Sequence, residues 1–315
     1  METAALVEGV LAGERRPLAR LLSAVEAGDE HLLRQVIAAI HPHAGRAHTI
    51  GITGSPGVGK STLTARLIAD QRQRGATVAV LAIDPSSPFS GGALLGDRVR
   101  MGDQAVDEGV FIRSMATRGH LGGLSWATPP ALTVLDAAGF DVVIIETVGV
   151  GQAEVEIASL ADSTVVVLAP GMGDAVQAAK AGILEIADVF VVNKADMPGA
   201  RKTSQELLGM QYLSSARHGW VPPVLQTVAD QGKGIPPLSD ALAAHLKWSA
   251  DSGQRSLQQR HAARVQIREI VLQQVRSRMH QLNEGTMLEE ILDQVVARQT
   301  DPYSAADALL EALEA

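Results

Sequence analysis

The sequence predicts an α/β fold, a mostly parallel sheet covered by helices on both faces, with helical extensions before and after it. Three observations carry this expectation. Short apolar, β-branched runs at 49–53, 77–83, 110–113, 141–146, 163–168, 189–193 and 224–227 alternate with helix-length segments. Near-continuous apolar strands of this kind belong to parallel sheets buried on both faces. A glycine-rich loop follows the first run and opens a helical stretch. The two ends of the chain show helical texture without strand-like runs. The expected organisation is an N-terminal helical extension at 1–46, a central domain at 47–250 and a C-terminal helical arm at 251–315.

Composition sets limits on function. Of 315 residues, 46% are hydrophobic and 20% charged, enough apolar material for a substantial core. A formal net charge of −8 argues against a general nucleic-acid binder, which needs clustered Lys and Arg. No apolar run approaches the roughly 18 residues that span a bilayer. The first residues, Met1-Glu2-Thr3-Ala4-Ala5, lack the basic start and apolar core of a secretory signal, so the expected location is cytoplasmic. With no cysteine, disulfides, zinc–thiolate centres and cysteine nucleophiles are excluded.

Taken in chain order, the first extension reads as helices, with Pro17 where a first helical turn tolerates it and Gly28-Asp29 as a break and cap. The loop after the first strand is Gly54-Ser55-Pro56-Gly57-Val58-Gly59-Lys60-Ser61-Thr62, a full match to G-x-x-x-x-G-K-S/T in its strand–loop–helix frame. Its glycines let several N–H groups converge on one anion, and the helix N-terminus adds partial positive charge. Lys60 is expected at the β- and γ-phosphates and the Ser61 hydroxyl on Mg2+. The central domain is therefore read as a P-loop NTPase.

Asp84 ends the second strand and leads into Pro85-Ser86-Ser87-Pro88-Phe89-Ser90-Gly91-Gly92, too rich in turn residues for helix or strand. This reads as a switch loop, with Asp84 and Asp97 as candidate ligands of Mg2+ or its waters; Asp97 could equally be an exposed residue of a short helix at 94–101. The run Val142-Val143-Ile144-Ile145 ends in Glu146-Thr147-Val148-Gly149. Glu146 suits a water-mediated metal contact, and Gly149 a backbone N–H that senses the γ-phosphate. Val150 stands where Ras-like GTPases carry a water-orienting glutamine, with Gln152 two positions further as the alternative, so slow intrinsic hydrolysis is expected, completed by a group supplied on dimerisation or by a partner.

Asn193-Lys194-Ala195-Asp196 places N-K-x-D at the end of an apolar strand. A carboxylate at Asp196 can accept two hydrogen bonds from guanine, and adenine offers neither. Asn193 can hold the base-side loop together, and the Lys194 stem can lie over the purine face. GTP is thus favoured over ATP. A further base-binding loop is expected after the next strand. Of Ser214-Ser215-Ala216 and Thr227-Val228-Ala229, the second follows an apolar run and is chosen.

In the C-terminal arm, Leu257, Val265, Leu272, Val275, Met279 and Leu282 follow one helical face, while Ile267, Ile270 and Val271 lie largely off it. A helix apolar on more than one side usually buries both, either against its own domain or with a second subunit added, the latter being favoured. Thr286-Met287-Leu288-Glu289 fits a capping box, and Asp301-Pro302 a cap followed by Pro at the first helical position.

The P-loop, the stretch 83–101, Arg113-Ser114-Met115-Ala116-Thr117-Arg118-Gly119-His120-Leu121-Gly122-Gly123-Leu124, Glu146-Thr147-Val148-Gly149-Val150-Gly151-Gln152 and Asn193-Lys194-Ala195-Asp196 together resemble the MeaB/ArgK/MMAA GTPases, a family of metallochaperone-like P-loop GTPases. The resemblance implies a homodimeric chaperone of adenosylcobalamin-dependent methylmalonyl-CoA mutase that gates cofactor delivery and protects the mutase. It implies metal-site roles for Asp84, Asp97 and Glu146, and an additional switch from Pro170-Gly171-Met172-Gly173-Asp174 through Gln177 to Lys180. Thr227-Val228-Ala229 departs from the family, where serine-alanine is more usual. Physics assigns no role to the loop holding His120. Rival readings are a GTPase metallochaperone for another metalloenzyme, an ATPase or kinase linked to arginine and ornithine transport, and a nucleotide-binding module without turnover.

Overall fold

The computed structural model describes residues 2–28, 30–84, 106–116, 127–147, 153–171, 185–213, 219–283 and 286–314. The chain forms two compact units, Met1–Gln259 and Arg260–Ala315. In the first, helices α1 (Glu2–Leu11), α2 (Arg15–Ala27) and α3 (Glu30–Ile40) precede β1 (His48–Thr53) and α4 (Lys60–Gln73). Then come β2 (Val78–Asp84), β3 (Val110–Ala116), α5 (Thr128–Ala137), β4 (Val142–Thr147) and α6 (Ala153–Leu160). After these follow β5 (Ser163–Leu168), β6 (Val189–Val192), α7 (Ala200–Leu213), β7 (Val224–Gln226) and α8 (Ile235–Asp251). Helix α9 (Gln254–Asn283) begins in this unit, and α10 (Thr286–Val296) and α11 (Pro302–Glu314) belong to the second.

The strands form one 7-stranded sheet, parallel as the sequence predicted, and its order is β3-β2-β4-β1-β5-β6-β7. Every expected strand is present, with ends shifted by a few residues at most. The apolar runs are continuous because both faces are covered. On one face Ala79, Leu81 and Ile83 of β2 and Val143 and Ile145 of β4 pack with α5 and with Leu18, Leu21, Leu22 and Val36 of the N-terminal helices. On the other, Val78, Val80, Ile50, Ile52, Val165 and Val167 meet Leu63, Leu67 and Ile68 of α4 and Leu238 and Leu242 of α8. The alternation along β2 and β1 is the period-two geometry of a strand with two buried faces.

Polar contacts fasten α2 to the β3 edge and the segment before β1 to α5. The Asp136 carboxylate accepts the backbone N–H groups of Gly45, Arg46 and Ala47 at 2.5, 3.1 and 3.0 Å. Arg15 Nη2 donates to the carbonyls of Asp107 and Val110 at 2.7 and 2.8 Å, and Arg113 pairs with Glu26.

The amino ends of the strands hold a buried polar chain. His48 Nε2 lies 2.8 Å from Ser163 Oγ, and that hydroxyl is 2.8 Å from His245 Nδ1. His245 Nε2 faces Asp188 Oδ1 at 3.3 Å, and Trp220 Nε1 donates to the Asp188 carbonyl at 2.9 Å. Beside it Arg255, at the start of α9, holds both Asp162 oxygens at 2.9 and 3.3 Å and the Ala47 carbonyl at 3.0 Å.

Leu257 and Ile267 are 60% and 63% exposed, and Ile270, Val271 and Leu272 are also exposed. In the second unit the Asp301 carboxylate accepts the N–H groups of Tyr303 and Ser304 at 2.9 and 3.2 Å, the cap expected before Pro302. Among the described residues no helix is long and apolar enough to cross a membrane.

Candidate functional site

The sequence motifs converge at the carboxyl ends of β1, β4, β6 and β7, where ligands bind in open α/β sheets. Gly54 leaves β1 with φ +140° under the backbone of Val167, and a Cβ there would strike the Val167 carbonyl. Gly59 has φ +95°, and a Cβ would lie 2.5 Å from Asn193 Nδ2. Only glycine meets both constraints, which is why the loop can curl tightly and place Lys60 at the first position of α4. Val58 is fully buried among the α4 core residues and anchors the middle of the loop.

Lys60 is 7% exposed and donates its ammonium to the carbonyls of Gly54 and Ser55 at 2.7 and 3.1 Å. A cation is thereby held inside the curl of the loop, where phosphate oxygens would sit. Ser61 Oγ donates to Glu146 Oε1 at 2.6 Å, and Glu146 is 4% exposed. Register explains the pairing: β1 and β4 are neighbours, with Ile52 opposite Glu146, so the strand-end acid reaches the hydroxyl on the next helix. Next to it Thr147 Oγ1 lies 3.3 Å from Thr53 Oγ1. A serine hydroxyl and a carboxylate are the all-oxygen donor type that Mg2+ takes. Asp84 is the last residue of β2, whose Ile83 is opposite Thr147, so its backbone ends beside β4 at the same edge.

The base-side motif closes the site from the other flank. Asn193 is 2% exposed; its Nδ2 donates to the Val58 carbonyl at 2.9 Å. Its Oδ1 accepts from Thr227 Oγ1 at 3.0 Å and from the Ala229 N–H at 3.1 Å. Lys194 has φ +55°, rare for a non-glycine residue, and donates Nζ to the Gly57 carbonyl at 2.7 Å. Asp196 is exposed at the rim. Asn193 and Lys194 therefore tie the N-K-x-D segment to the P-loop, and Asn193 also ties in Thr227-Val228-Ala229.

A family model described as methylmalonyl Co-A mutase-associated GTPase MeaB matches residues 18–284. The chain belongs to the MeaB family of GTPases. A putative GTPase of Pyrococcus horikoshii is 47% identical over 310 residues, 97% of this chain and 96% of its own. The mitochondrial methylmalonic aciduria type A homolog of Mus musculus is 32% identical over 330 residues, 98% of this chain and 79% of its own. The crystal structure of a LAO/AO transport system kinase matches with a TM-score of 0.73 at 26% identity, covering 99% of this chain and 98% of that one. The family read from the motifs is thus borne out, and with it the P-loop fold.

For this MeaB-family chain, several expected site residues lie outside the described residues: Asp97, Gly149, Val150, His120, Ser214-Ser215-Ala216, Gln177 and Lys180. One contact at the site escaped the motif reading. Arg66 of α4 donates Nε to the Ala229 carbonyl at 3.1 Å and Nη2 to the Asp230 carbonyl at 2.7 Å. Nothing in the sequence marks an exposed helical arginine as the partner of a loop more than 160 residues away.

Proposed function

We propose that the chain binds GTP with Mg2+ and hydrolyses it slowly, as a conformational switch that loads and protects adenosylcobalamin-dependent methylmalonyl-CoA mutase. The observation that carries the nucleotide reading is the joint anchoring of two motifs on one loop. Lys60 and Ser61 present a cation and a hydroxyl at the phosphate curl, while Asn193 and Lys194 bind the same loop's carbonyls from the base side. Phosphate and base recognition are thereby held at a fixed separation. In this reading Asp196 accepts the guanine N–H groups and Thr227-Val228-Ala229 borders the purine edge. Ser61 and Glu146, with Asp84 and Asp97, hold Mg2+ directly or through water. When bound, the ion neutralises charge on the β- and γ-phosphates.

Partner dependence follows from what the chain lacks at the water-orienting position, where Val150 has no hydrogen-bonding side chain. The segment from Gly171 to Lys180, with Gln177, is the element we assign to partner-stimulated turnover. A cation brought near the γ-phosphate stabilises transition-state charge and adds roughly 10³ or more to the rate in related systems. The exposed apolar residues of α9 are the surface through which we propose that the chain forms a homodimer. Kinship to a transport system kinase by printed name is the second reading; an aspartate at the base site favours guanine and speaks against an ATP-dependent kinase.

The test is phosphate release from GTP with and without a methylmalonyl-CoA mutase, for wild type and Lys180→Ala. We expect stimulation by the mutase, most of it absent in Lys180→Ala while GTP affinity and intrinsic turnover stay near wild type. No binding of mutase in the presence of a non-hydrolysable GTP analogue would remove the chaperone reading and leave a GTPase alone.

A further inference from the structure

The guanidinium of Arg66 belongs to no motif, yet it touches the loop that the base-site reading depends on. Ala229 is held at both of its backbone polar groups. Its N–H donates to Asn193 Oδ1 at 3.1 Å, and its carbonyl accepts from Arg66 Nε at 3.1 Å. The second arm of the guanidinium takes the next carbonyl, Asp230, at 2.7 Å. Fixing both groups of one residue fixes the two peptide planes that flank it, and so the direction of the short 3-10 turn Ala229–Gln231. Beyond the turn the chain closes through a bridge between Val228 and Lys233 and enters α8, whose Leu238 and Leu242 pack on α4. The helix bearing Arg66 starts with Lys60 and Ser61. One rigid element therefore carries the phosphate-side groups and holds the base-side loop.

We propose that Arg66 is a positioning residue for guanine recognition. By bridging the carbonyls of Ala229 and Asp230 it keeps Thr227-Val228-Ala229 in register with the P-loop, so that the loop meets the purine edge without reorganising. The proposal rests on the guanine-site reading given above. Arginine suits the task because its planar fork donates to two acceptors at once, whereas lysine offers a point charge. Without the fork the turn samples other directions, and apparent affinity falls with the fraction of molecules in the competent one. A phosphate-only interaction does not depend on that fraction, which separates this role from general support of the fold.

The experiment uses the full chain, wild type, Arg66→Ala and Arg66→Lys, with displacement of a fluorescent GDP analogue by GDP and by ADP and steady-state GTP hydrolysis. Arg66 is an exposed residue, so the variants are expected to fold, and melting without nucleotide checks this. Arg66→Ala should bind GDP about ten-fold more weakly with ADP affinity changed less than about two-fold, collapsing the GDP-over-ADP preference. KM for GTP should rise by a similar factor, with kcat moving much less. Arg66→Lys, able to hold one carbonyl, should fall between the two. An Arg66→Ala protein that keeps the wild-type preference and KM overturns the proposal, as does an equal loss for GDP and ADP. A wild-type protein that does not discriminate GDP from ADP overturns the guanine reading itself, and this proposal with it.

Discussion

Both polar atoms of the Asn193 amide are directed into the protein, Nδ2 to the Val58 carbonyl and Oδ1 to Thr227 and Ala229. That leaves base recognition, in the proposed function, to the exposed Asp196 carboxylate. Asp196→Asn should therefore lower GTP affinity and shift preference toward xanthosine triphosphate, whose extra carbonyl accepts from an amide N–H. Hydrogen bonds to a charged partner are worth about 1.5–3 kcal/mol each, so the change in the GTP-to-XTP ratio should be large in a competition assay. Unaltered competition would remove Asp196 from the base site. At the other end of the nucleotide, Lys60→Ala takes away both the cation and the ties to the Gly54 and Ser55 carbonyls. Phosphate release should drop at least about a hundredfold, as when one preorganised transition-state donor is deleted, and triphosphate binding should weaken. Wild-type turnover in that variant would mean that phosphate is bound elsewhere. The placement of these residues was legible in the sequence because the phosphate loop and the N-K-x-D motif are contiguous and sit at strand ends. Arg66 was not legible, since its partners are main-chain carbonyls and leave no trace in side-chain identity.

The strands were readable for a physical reason: β1, β4 and β5 are buried along nearly their whole length, so β4 and β5 carry runs of four apolar residues rather than a polar–apolar alternation. What the pattern could not reveal is the polar chain at their amino ends, because His48, Ser163, Asp188 and His245 come from distant segments and look like ordinary strand and helix termini. This chain gives the elements a pH dependence. Burial pushes the His48 imidazole down to about 4, with nearby Asp162 and Asp188 pulling upward and His245 and Arg255 adding to the depression. The folded protein therefore holds His48 neutral where the unfolded chain, with a histidine pKa near 6.5, takes up a proton. Stability from this group is complete above about pH 6.5, is lost as the pH falls towards about 4, and changes no further below that. The full effect is on the order of 3 kcal/mol. Melting temperatures between pH 4 and 7 should fall more steeply for wild type than for His48→Gln, which has no proton to gain. Parallel curves would show that the imidazole is not the group responsible.

The N-terminal helices share a core with β2, β4 and α5 rather than standing apart, and the first compact unit runs from them through the first turn of α9. Its last fastenings are Arg255 on Asp162 and the Ala47 carbonyl, and Gln258 on the Ala161 carbonyl at 2.5 Å. Sequence periodicity showed that α9 is apolar on more than one side but not where the first unit stops, because that boundary lies inside a continuous helix. The two truncations it suggests differ sharply. A chain ending after Gln259 keeps all of these contacts and the whole nucleotide site; it should bind GTP, melt near the temperature of the full chain and sediment as a monomer, the exposed apolar residues from Ile267 onward having been removed. A chain ending at Gly253 loses Arg255 and leaves the Asp162 carboxylate, 10% exposed, without its cation. The Thr49 N–H still reaches Oδ2 at 3.0 Å, but Oδ1 loses its partner, which costs about 1–3 kcal/mol, so this shorter chain should still bind GTP but unfold at lower temperature. Sedimentation and thermal melting of the two truncations beside the full chain decide the matter. If the chain ending after Gln259 sediments as a dimer, the subunit interface lies within the first unit, and the apolar residues of α9 beyond it serve some other contact.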